Sequence, residues 1–195
     1  MLKATVKARD DIDVKDYTNL TKFLKRASKG FKSKKAKVLS TELVQKFLDK
    51  APDIIYLVTK VVLIFGITGA CGIRELVEIT TKDIEEHGEM FLVRITNKKK
   101  KTLRTFTIHG QFYKIVKKYE VLRTSRAKHD RFFQNYRKGK CTCQPIGINK
   151  LGAMPREIAT YLELPNPESY TGHSFRKTSS TLLTGDKGAQ LLYND

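Results

Sequence analysis

The sequence predicts an α+β fold that is mostly α, with one small antiparallel β-sheet. Apolar residues recur at helical spacing over most of the 195 residues, and the apolar period changes to two in one region, residues 91–108. The chain contains no internal repeat and no low-complexity tract. With 40% hydrophobic residues it can bury a core of ordinary size. These observations favour one domain of packed helices around a β-hairpin, preceded by a short helical segment.

Residues 1–37 form the N-terminal region of this prediction, and residues 38–195 form the main domain. A short amphipathic helix is predicted from four apolar residues at helical spacing, namely Leu20, Phe23, Leu24 and Ala27, with Gly30 after its end. The linker that follows is basic and contains Lys32, Lys34, Lys35 and Lys37. Such a run is usually solvated surface, and it could also contact phosphates or serve as a nuclear import signal. A nuclear location is therefore an expectation from the sequence.

Helical spacing accounts for most of the main domain. Ser40 is predicted to cap a helix that stops before Pro52, and the next helix, from Asp53 to about Gly66, is apolar on nearly every side and forms the centre of the core. A helix-turn segment is predicted at 74–84, and further helices are predicted at 112–122, 148–162 and from Thr171-Gly172 to Leu182. Pro155 is expected near a boundary of its helix or at a kink.

The alternation at residues 91–108 predicts the β-hairpin. The core-facing residues are Phe91, Val93 and Ile95 on one strand and Phe106 and Ile108 on its partner. The connecting turn, residues 96–102, carries a run of lysines. A basic loop is predicted at 123–130 and a short buried strand at 131–133.

The net charge indicates the class of partner. The chain has 38 Lys+Arg against 20 Asp+Glu, which leaves +18, and a charge of this size is usually tolerated where a polyanion neutralises it. Nucleic acid is the leading candidate. A membrane partner is disfavoured, because the N-terminus has no lipidation signal and the longest apolar stretch is too short to cross a bilayer.

The three cysteines indicate a reduced, intracellular protein, because an odd count without a secretory signal argues against a disulfide framework. Cys141 and Cys143 lack the paired four-ligand spacing of a structural zinc site. We therefore expect no metal and no small-molecule cofactor.

The segment Tyr-Thr-Gly-His-Ser-Phe-Arg at residues 170–176 is the sharpest local signal. His173 and Arg176 are three residues apart and share one face of a helix, beside the backbone amides of the helix N-terminus. One face then offers a proton-transfer group and a cation with parallel donors. Taken alone, His173 could also be a capping or core histidine and Arg176 a surface cation.

This segment belongs to a wider pattern. Together with Thr-Gly-Ala-Cys at 68–71 running into Glu75-Leu76, the hairpin 95–108 and Phe132-Phe133, it resembles the catalytic domain of the tyrosine recombinases of phage-integrase type. The nearest likeness is to the Crypton-type transposon-derived recombinases of animals. The resemblance covers roughly residues 38–185 and implies an integrase-like catalytic core of packed helices.

The resemblance implies a chemistry for specific residues. In that family a tyrosine attacks a DNA phosphodiester, two arginines hold the non-bridging oxygens, a hairpin lysine protonates the leaving oxygen, and histidines assist proton transfer. Arg176 matches the second arginine, His173 the first histidine and Lys99 the hairpin lysine. Lys98, Lys100 and Lys101 flank Lys99, so that a shift of one residue would move this assignment.

The departures from the family are equally informative. Gly72 stands where the family has its first arginine, and Arg74 lies two residues later. Because two residues rotate a helical side chain by about 200°, Arg74 is expected to point elsewhere unless the turn rewinds. The sequence ends 19 residues after Arg176 (195 − 176), before the family's second histidine or tryptophan and its nucleophile, and Tyr193 is too close to serve. The expectation is a C-terminally truncated, monomeric domain that is defective in cleavage.

Three functions follow from these observations. The first is a catalytically defective domain that binds double-stranded DNA. The second is an active recombinase in which Arg74 replaces the missing arginine and the tyrosine comes from elsewhere, and the third is a non-enzymatic basic module that binds RNA or an acidic protein. The side chains expected to face DNA are Lys98, Lys99, Lys100, Lys101, Arg104, Arg123, Arg126, Lys128, Arg137, Lys138 and Lys140.

Overall fold

A computed structural model describes residues 16–29, 35–97, 102–184 and 188. The chain divides into two compact units, residues 1–34 and residues 35–195. In the first unit, helix α1 (Thr18–Ala27) has its apolar residues exposed, with Phe23 at 65%. Gly30, the predicted end of this helix, lies outside the described residues. Within the described ranges, no helix is long and apolar enough to span a membrane.

The second unit is built from helices and two short sheets. Its helices are α2 (Thr41–Lys50), α3 (Asp53–Thr68), α4 (Ile73–Glu78), α5 (Gly110–Leu122), α6 (Ile148–Tyr161) and α7 (Ser174–Leu183). Two 3-10 turns lie at Thr81–Asp83 and Pro167–Ser169. The strands are β1 (Ile84–His87), β2 (Met90–Asn97), β3 (Thr102–Ile108), β4 (Gln134–Arg137) and β5 (Lys140–Pro145). The predicted α+β, mostly α fold class is confirmed.

Helix α3 is the centre of the core, as its all-round apolar sequence predicts. Its residues 57–67 are all buried, and it contacts α5, α6 and α7 as well as strands β3 and β4. Phe65 stacks on Phe132 with ring centroids 5.4 Å apart, and it makes an edge-to-face contact with Phe106 at a centroid distance of 6.0 Å. The other helices of this unit therefore pack around a single apolar helix, α3. The predicted cap of α2 is confirmed, since Ser40 Oγ accepts a hydrogen bond from the Leu43 amide.

The predicted hairpin and the core-facing side of its strands are confirmed. Phe91 pairs with Ile108 and Val93 with Phe106, so that the apolar side chains of β2 and β3 share the face towards α3. The segment 74–84 forms the predicted helix and turn, since α4 ends at Glu78, but Ile84 begins a third strand that the sequence did not predict, β1, which pairs antiparallel with β2. The Asp83 carboxylate accepts hydrogen bonds from the Thr80 amide and hydroxyl, and these bonds form the turn that ends the helical path.

A second, two-stranded sheet is formed by β4 and β5. Its turn places Lys138 at φ 47° and Gly139 at φ 80°, the left-handed pair that a tight hairpin requires. The short strand predicted at 131–133 is wrong in its bounds. Phe132 and Phe133 are buried as expected, but the strand begins at Gln134. Arg131 forms an isolated bridge with Thr80, outside that strand.

Pro155 lies inside α6 and is buried, so that of the two expected alternatives, a boundary or a kink, the boundary position is wrong. A proline removes one helical hydrogen bond, and burial of its ring in the core offsets that loss. The position of α6 matters for function, because its exposed face forms one wall of the cleft described next.

Candidate phosphate-binding cleft

A cleft of about 910 Å³ opens beside the starts of α4 and α7 and along the exposed face of α6. Four of its lining residues carry the chemistry of the site: Arg74, Arg156, His173 and Arg176. The fold thus brings three predicted site residues, Arg74, His173 and Arg176, into one cavity with one further arginine, Arg156. Its acidic lining residues are Glu75 and Glu168.

The turn before α7 presents His173 at the mouth of the cleft. The Thr171 amide donates to Ser174 Oγ at 3.0 Å, and the Ser174 amide donates back to the Thr171 carbonyl at 2.8 Å. Gly172 lies so close to α4 that a Cβ at this position would come within 2.5 Å of Ile73 Cγ1. A residue with a side chain would therefore push the turn away from α4. His173 is exposed, and no side chain of the described ranges hydrogen-bonds its imidazole.

Arg176 reaches back from α7 to the loop before α4. Its Nε donates to the Ala70 carbonyl at 2.8 Å, and its Nη2 pairs with the Glu75 carboxylate. Ala70 has a left-handed backbone with φ 46°, a conformation that costs a residue other than glycine some energy. This conformation and the bond to Arg176 occur together, so that α7 and the loop are held as one structure.

Glu75 is the shared acceptor of this wall. Besides Arg176, it accepts from the Gly72 amide at 2.8 Å and from Arg104 Nη2 at 3.4 Å. Its side chain is 19% exposed, whereas those of Arg104 and Arg176 are 42% and 50% exposed. One carboxylate thus compensates part of the charge of two arginines.

Cys71 lies directly behind this wall and is fully buried. Burial raises the pKa of the Cys71 thiol to about 12, and the neighbouring arginine side chains only partly oppose that rise. The thiol therefore stays protonated at neutral pH and is no nucleophile.

Gly72 faces the arginine of α7. A Cβ at position 72 would lie 3.4 Å from Arg176 Nη2, and its φ of −83° suits any residue. A side chain here would therefore project next to Arg176. This geometry agrees with the register of the family resemblance, in which position 72 carries an arginine that this chain lacks.

Arg74 and Arg156 line the cleft and are exposed, as Arg176 is. Arg74 was expected to point elsewhere, yet it lines the same cavity as Arg176, because the cleft extends along the first turn of α4. Sequence reasoning missed Arg156. A signal was present, since Asn149, Gly152, Ala153 and Arg156 recur at the spacing of one helical face and are polar or small.

The remaining predicted DNA-facing residues do not lie together. Lys98, Lys99, Lys100 and Lys101 lie outside the described residues, so that the assignment of Lys99 stays a prediction. The Gly139 amide donates to the Ile54 carbonyl, which places the turn with Lys138 and Lys140 at the start of α3. The cleft lies past the other end of that helix, about 20 Å away at 1.5 Å per residue.

The loop at 123–131 is held to the core by one of its arginines. Arg123 donates to the carbonyls of Phe132 and Arg131 at 2.7 and 3.2 Å and lies over the Phe132 ring. Two of its donor groups hold the loop to the core, so that this predicted DNA-facing residue has a structural role. Arg126 and Lys128 are exposed in the same loop.

The described residues contain no group of three or more histidine, cysteine, aspartate or glutamate side chains that could hold a metal ion. Cys143 is exposed, and Cys141 is partly buried.

Comparison with known proteins identifies the fold. No protein-family model matches the sequence, and no curated protein matches it. Solved structures do match. The crystal structure of XerA recombinase has a TM-score of 0.62 at 14% identity and is matched over 99% of this chain and 72% of XerA. The λ integrase catalytic core has a TM-score of 0.53 at 13% identity, over 81% of this chain and 92% of that core.

A third structure, XerH site-specific recombinase bound to difH substrate in a pre-cleavage complex, has a TM-score of 0.56 at 18% identity. The match covers 79% of this chain and 45% of XerH, so that the chain spans less than half the length of that recombinase. At these identities the likeness concerns the fold. The chain has the catalytic-core fold of the tyrosine recombinases.

Proposed function

We propose that this domain binds duplex DNA by placing a backbone phosphate in the cleft, as a recombinase-type domain that is defective in strand cleavage. The observation that carries the proposal is the convergence of His173 and three arginines on one cavity at the start of α7. Guanidinium groups bind phosphate oxygens through parallel donors, and the net charge of +18 favours a polyanion. The solved structure of XerH holds its difH DNA substrate on the same fold.

The proposed defect in cleavage follows from position 72. Phosphoryl transfer builds negative charge on the non-bridging oxygens, and preorganised cations at those oxygens lower the barrier. Gly72 places no side chain beside Arg176, and Arg176 and Arg104 share the Glu75 carboxylate, which compensates part of the charge of both. DNA binding needs only a positive electrostatic potential at the protein surface, whereas strand cleavage needs cations at fixed positions around the phosphate. Binding is therefore retained where cleavage is lost.

Fluorescence anisotropy with a labelled duplex at several salt concentrations tests DNA binding. The logarithm of the affinity should fall linearly with the logarithm of the salt concentration, with a slope of about −0.9 for each phosphate that the domain neutralises. Binding that is absent, or independent of salt, contradicts the proposal. Competition with single-stranded RNA separates it from a basic RNA-binding module, because a duplex-specific domain should prefer DNA.

A second candidate function is favoured by the position of Arg74. Because Arg74 lines the cleft, it offers a cation in place of the missing arginine. With this cation and a tyrosine from elsewhere, the domain would be an active recombinase. A nicked suicide duplex traps a covalent protein–DNA adduct if strand cleavage occurs. An adduct at high protein concentration favours this candidate, and its absence beside intact DNA binding favours the cleavage-defective domain.

Three further proposals rest on sequence alone. We propose a nuclear location from the basic linker at residues 32–37, a monomeric state, and descent from Crypton-type transposon recombinases from the segment at residues 170–176. Imaging of the tagged protein with and without the linker lysines tests the location. Sedimentation with and without DNA tests the monomeric state.

A further inference from the structure

We infer that Lys37 is a positioning residue of the cleft. It holds residues 165–170, here called the proline turn, from which Glu168 and Tyr170 enter the cleft lining. Lys37 itself belongs to residues 36–39, here called the strap, which lie just before the cap of α2. The inference rests on the proposed function, because it concerns a wall of the same cleft.

The proline turn has few donors of its own. Pro165 and Pro167 have no amide hydrogen, and Asn166 has a left-handed backbone with φ 56°, which residues other than glycine adopt at some cost. Lys37 supplies two donors from outside the turn. Its ammonium group donates to the Pro165 carbonyl at 3.0 Å, and its amide donates to the Ser169 carbonyl at 3.1 Å. One residue of the strap therefore satisfies carbonyl groups at both ends of the turn.

The same ammonium group contacts the aromatic ring of the cleft wall. Lys37 Nζ lies 5.9 Å from the centre of the Tyr170 ring, and Tyr170 is 7% exposed. A cation at this distance is attracted by the ring quadrupole, and the attraction is stronger where water is excluded. Displacement of the ring from the cleft wall would therefore break this contact.

The strap is also anchored on α7. The Leu39 amide donates at 3.0 Å to the hydroxyl of Thr178, and both residues are fully buried. The Lys177 ammonium group donates to the Ala36 carbonyl at 3.4 Å. The position of the strap is therefore fixed independently of Lys37, so that Lys37 extends from a rigid support.

The two attachments of the strap enclose the residues of the site. The proline turn ends at Tyr170, and the bonds from α7 to the strap come from Lys177 and beyond. The chain between them carries His173 and Arg176, which line the cleft. Because the anchors on α7 remain, loss of the Lys37 contacts should loosen the cleft wall without unfolding the domain.

The first experiment measures the cleft wall without DNA. Lys37→Met removes the ammonium group and keeps an unbranched apolar side chain. In the full chain labelled with ¹⁵N-glycine, this variant should shift the amide signal of Gly172, which lines the cleft. Lys37→Arg should return the signal towards its wild-type position, since a guanidinium group also donates hydrogen bonds and binds aromatic rings. A Gly172 signal that does not change in Lys37→Met overturns the inference.

The second experiment measures duplex affinity as a function of salt. A positioning residue changes the fraction of molecules that can bind, so that Lys37→Met should weaken binding about threefold or more with an unchanged salt slope. Lys37→Arg should restore the affinity. If Lys37 instead contacts a phosphate directly, the slope of Lys37→Met should become less steep by about 0.9, and that result overturns the inference.

Lys35→Met is the charge-matched control, because Lys35 is an exposed lysine two residues before Lys37. It should leave the Gly172 signal in place and change the affinity less than about twofold. Equal affinities of Lys35→Met and Lys37→Met beside normal wild-type binding overturn the inference and leave the proposed function standing. A wild type that binds no duplex overturns the proposed function, and the Gly172 signal then decides whether Lys37 positions the cleft wall.

Discussion

Glu75 determines how much positive charge the cleft can offer. Its carboxylate is bound by two arginines and by the Gly72 amide, and it is the least exposed member of the group. The same interaction therefore stabilises the fold and weakens the pull on an anion. Stability and binding are opposed at this residue.

Glu75→Gln should separate these two effects. The variant loses the ion pairs with Arg104 and Arg176, and we expect a fall of about 1–2 kcal/mol in the free energy of unfolding, measured by urea denaturation. Duplex affinity should rise, because the cleft loses a negative charge. The control is Glu78→Gln on the exposed face of the same helix, and a loss of DNA affinity in Glu75→Gln would contradict this account.

At the scale of elements, the contact between α3 and α7 places the cleft. Gly66 on α3 lies against Phe175 on α7, and a Cβ at Gly66 would come within 2.7 Å of the Phe175 Cβ. The absence of a side chain at this position allows α7, and with it His173 and Arg176, to lie close to the central helix.

Gly66→Ala should therefore destabilise the protein although alanine favours helices. We expect a loss of about 2 kcal/mol from overpacking, read from the urea midpoint. The matched control is Gly152→Ala in α6, where the added methyl group meets nothing within 4 Å and should increase stability by up to about 1 kcal/mol. Equal effects of the two variants would show that helix propensity, and not the contact with Phe175, dominates.

The start of α3 carries an ion pair between a buried lysine and a partly exposed aspartate. Lys60 is 5% exposed and donates to Asp53 at 2.7 Å, and Lys118 donates to the other carboxylate oxygen at 2.9 Å. Burial alone would raise the pKa of Asp53, but the hydrogen bonds and charges of Lys60 and Lys118 outweigh it and hold the pKa below the ordinary value of 3.8.

This pKa shift predicts a pH dependence. A lowered pKa in the folded state adds stability above the unfolded value of 3.8, and that stability is lost as the pH falls through the folded value. Because Asp53 is 37% exposed, we expect Asp53→Asn to cost only about 1–2 kcal/mol at pH 7. The difference from the wild type should vanish below the folded pKa, where Asp53 is itself neutral. The free energy of unfolding of the two proteins is measured by urea denaturation at pH 7 and at a pH below the folded pKa. A difference that is the same at the two pH values would contradict this prediction.

At the scale of the whole molecule, the positive charge is spread over separate surfaces. The cleft lies past the C-terminal end of α3, and the turn with Lys138 and Lys140 lies at its N-terminal end. Charges about 20 Å apart are beyond two Debye lengths at physiological salt. The net charge therefore indicates which class of partner the protein binds. It does not indicate how large any one binding surface is.

Lys138→Asn combined with Lys140→Gln tests this separation. Asparagine suits the left-handed backbone at position 138, so that the turn should be kept. At physiological salt we expect the affinity for a short duplex to fall less than about twofold. A tenfold fall would place these lysines on the same DNA surface as the cleft.

Several features of the protein follow from the sequence by itself. Local sequence patterns determined the central helix α3, the cap at Ser40, the core-facing sides of β2 and β3, and the position of His173 and Arg176 at the start of α7, where His173 is the N-cap residue. These features depend on side chains within a few residues of each other or on a strict period of two. Both kinds of pattern can be read directly from the amino-acid sequence. The family resemblance of residues 170–176 likewise predicted the fold that the structure shows.

Only the tertiary structure decided which charges are free. The commitment of Arg176 and Arg104 to Glu75, the presence of Arg74 and Arg156 in one cleft, and the structural role of Arg123 all depend on contacts between distant segments. An arginine has the same composition and local spacing whether its donors meet a carbonyl or water. Its partner is chosen by packing, which brings together residues as far apart as Ala70 and Arg176.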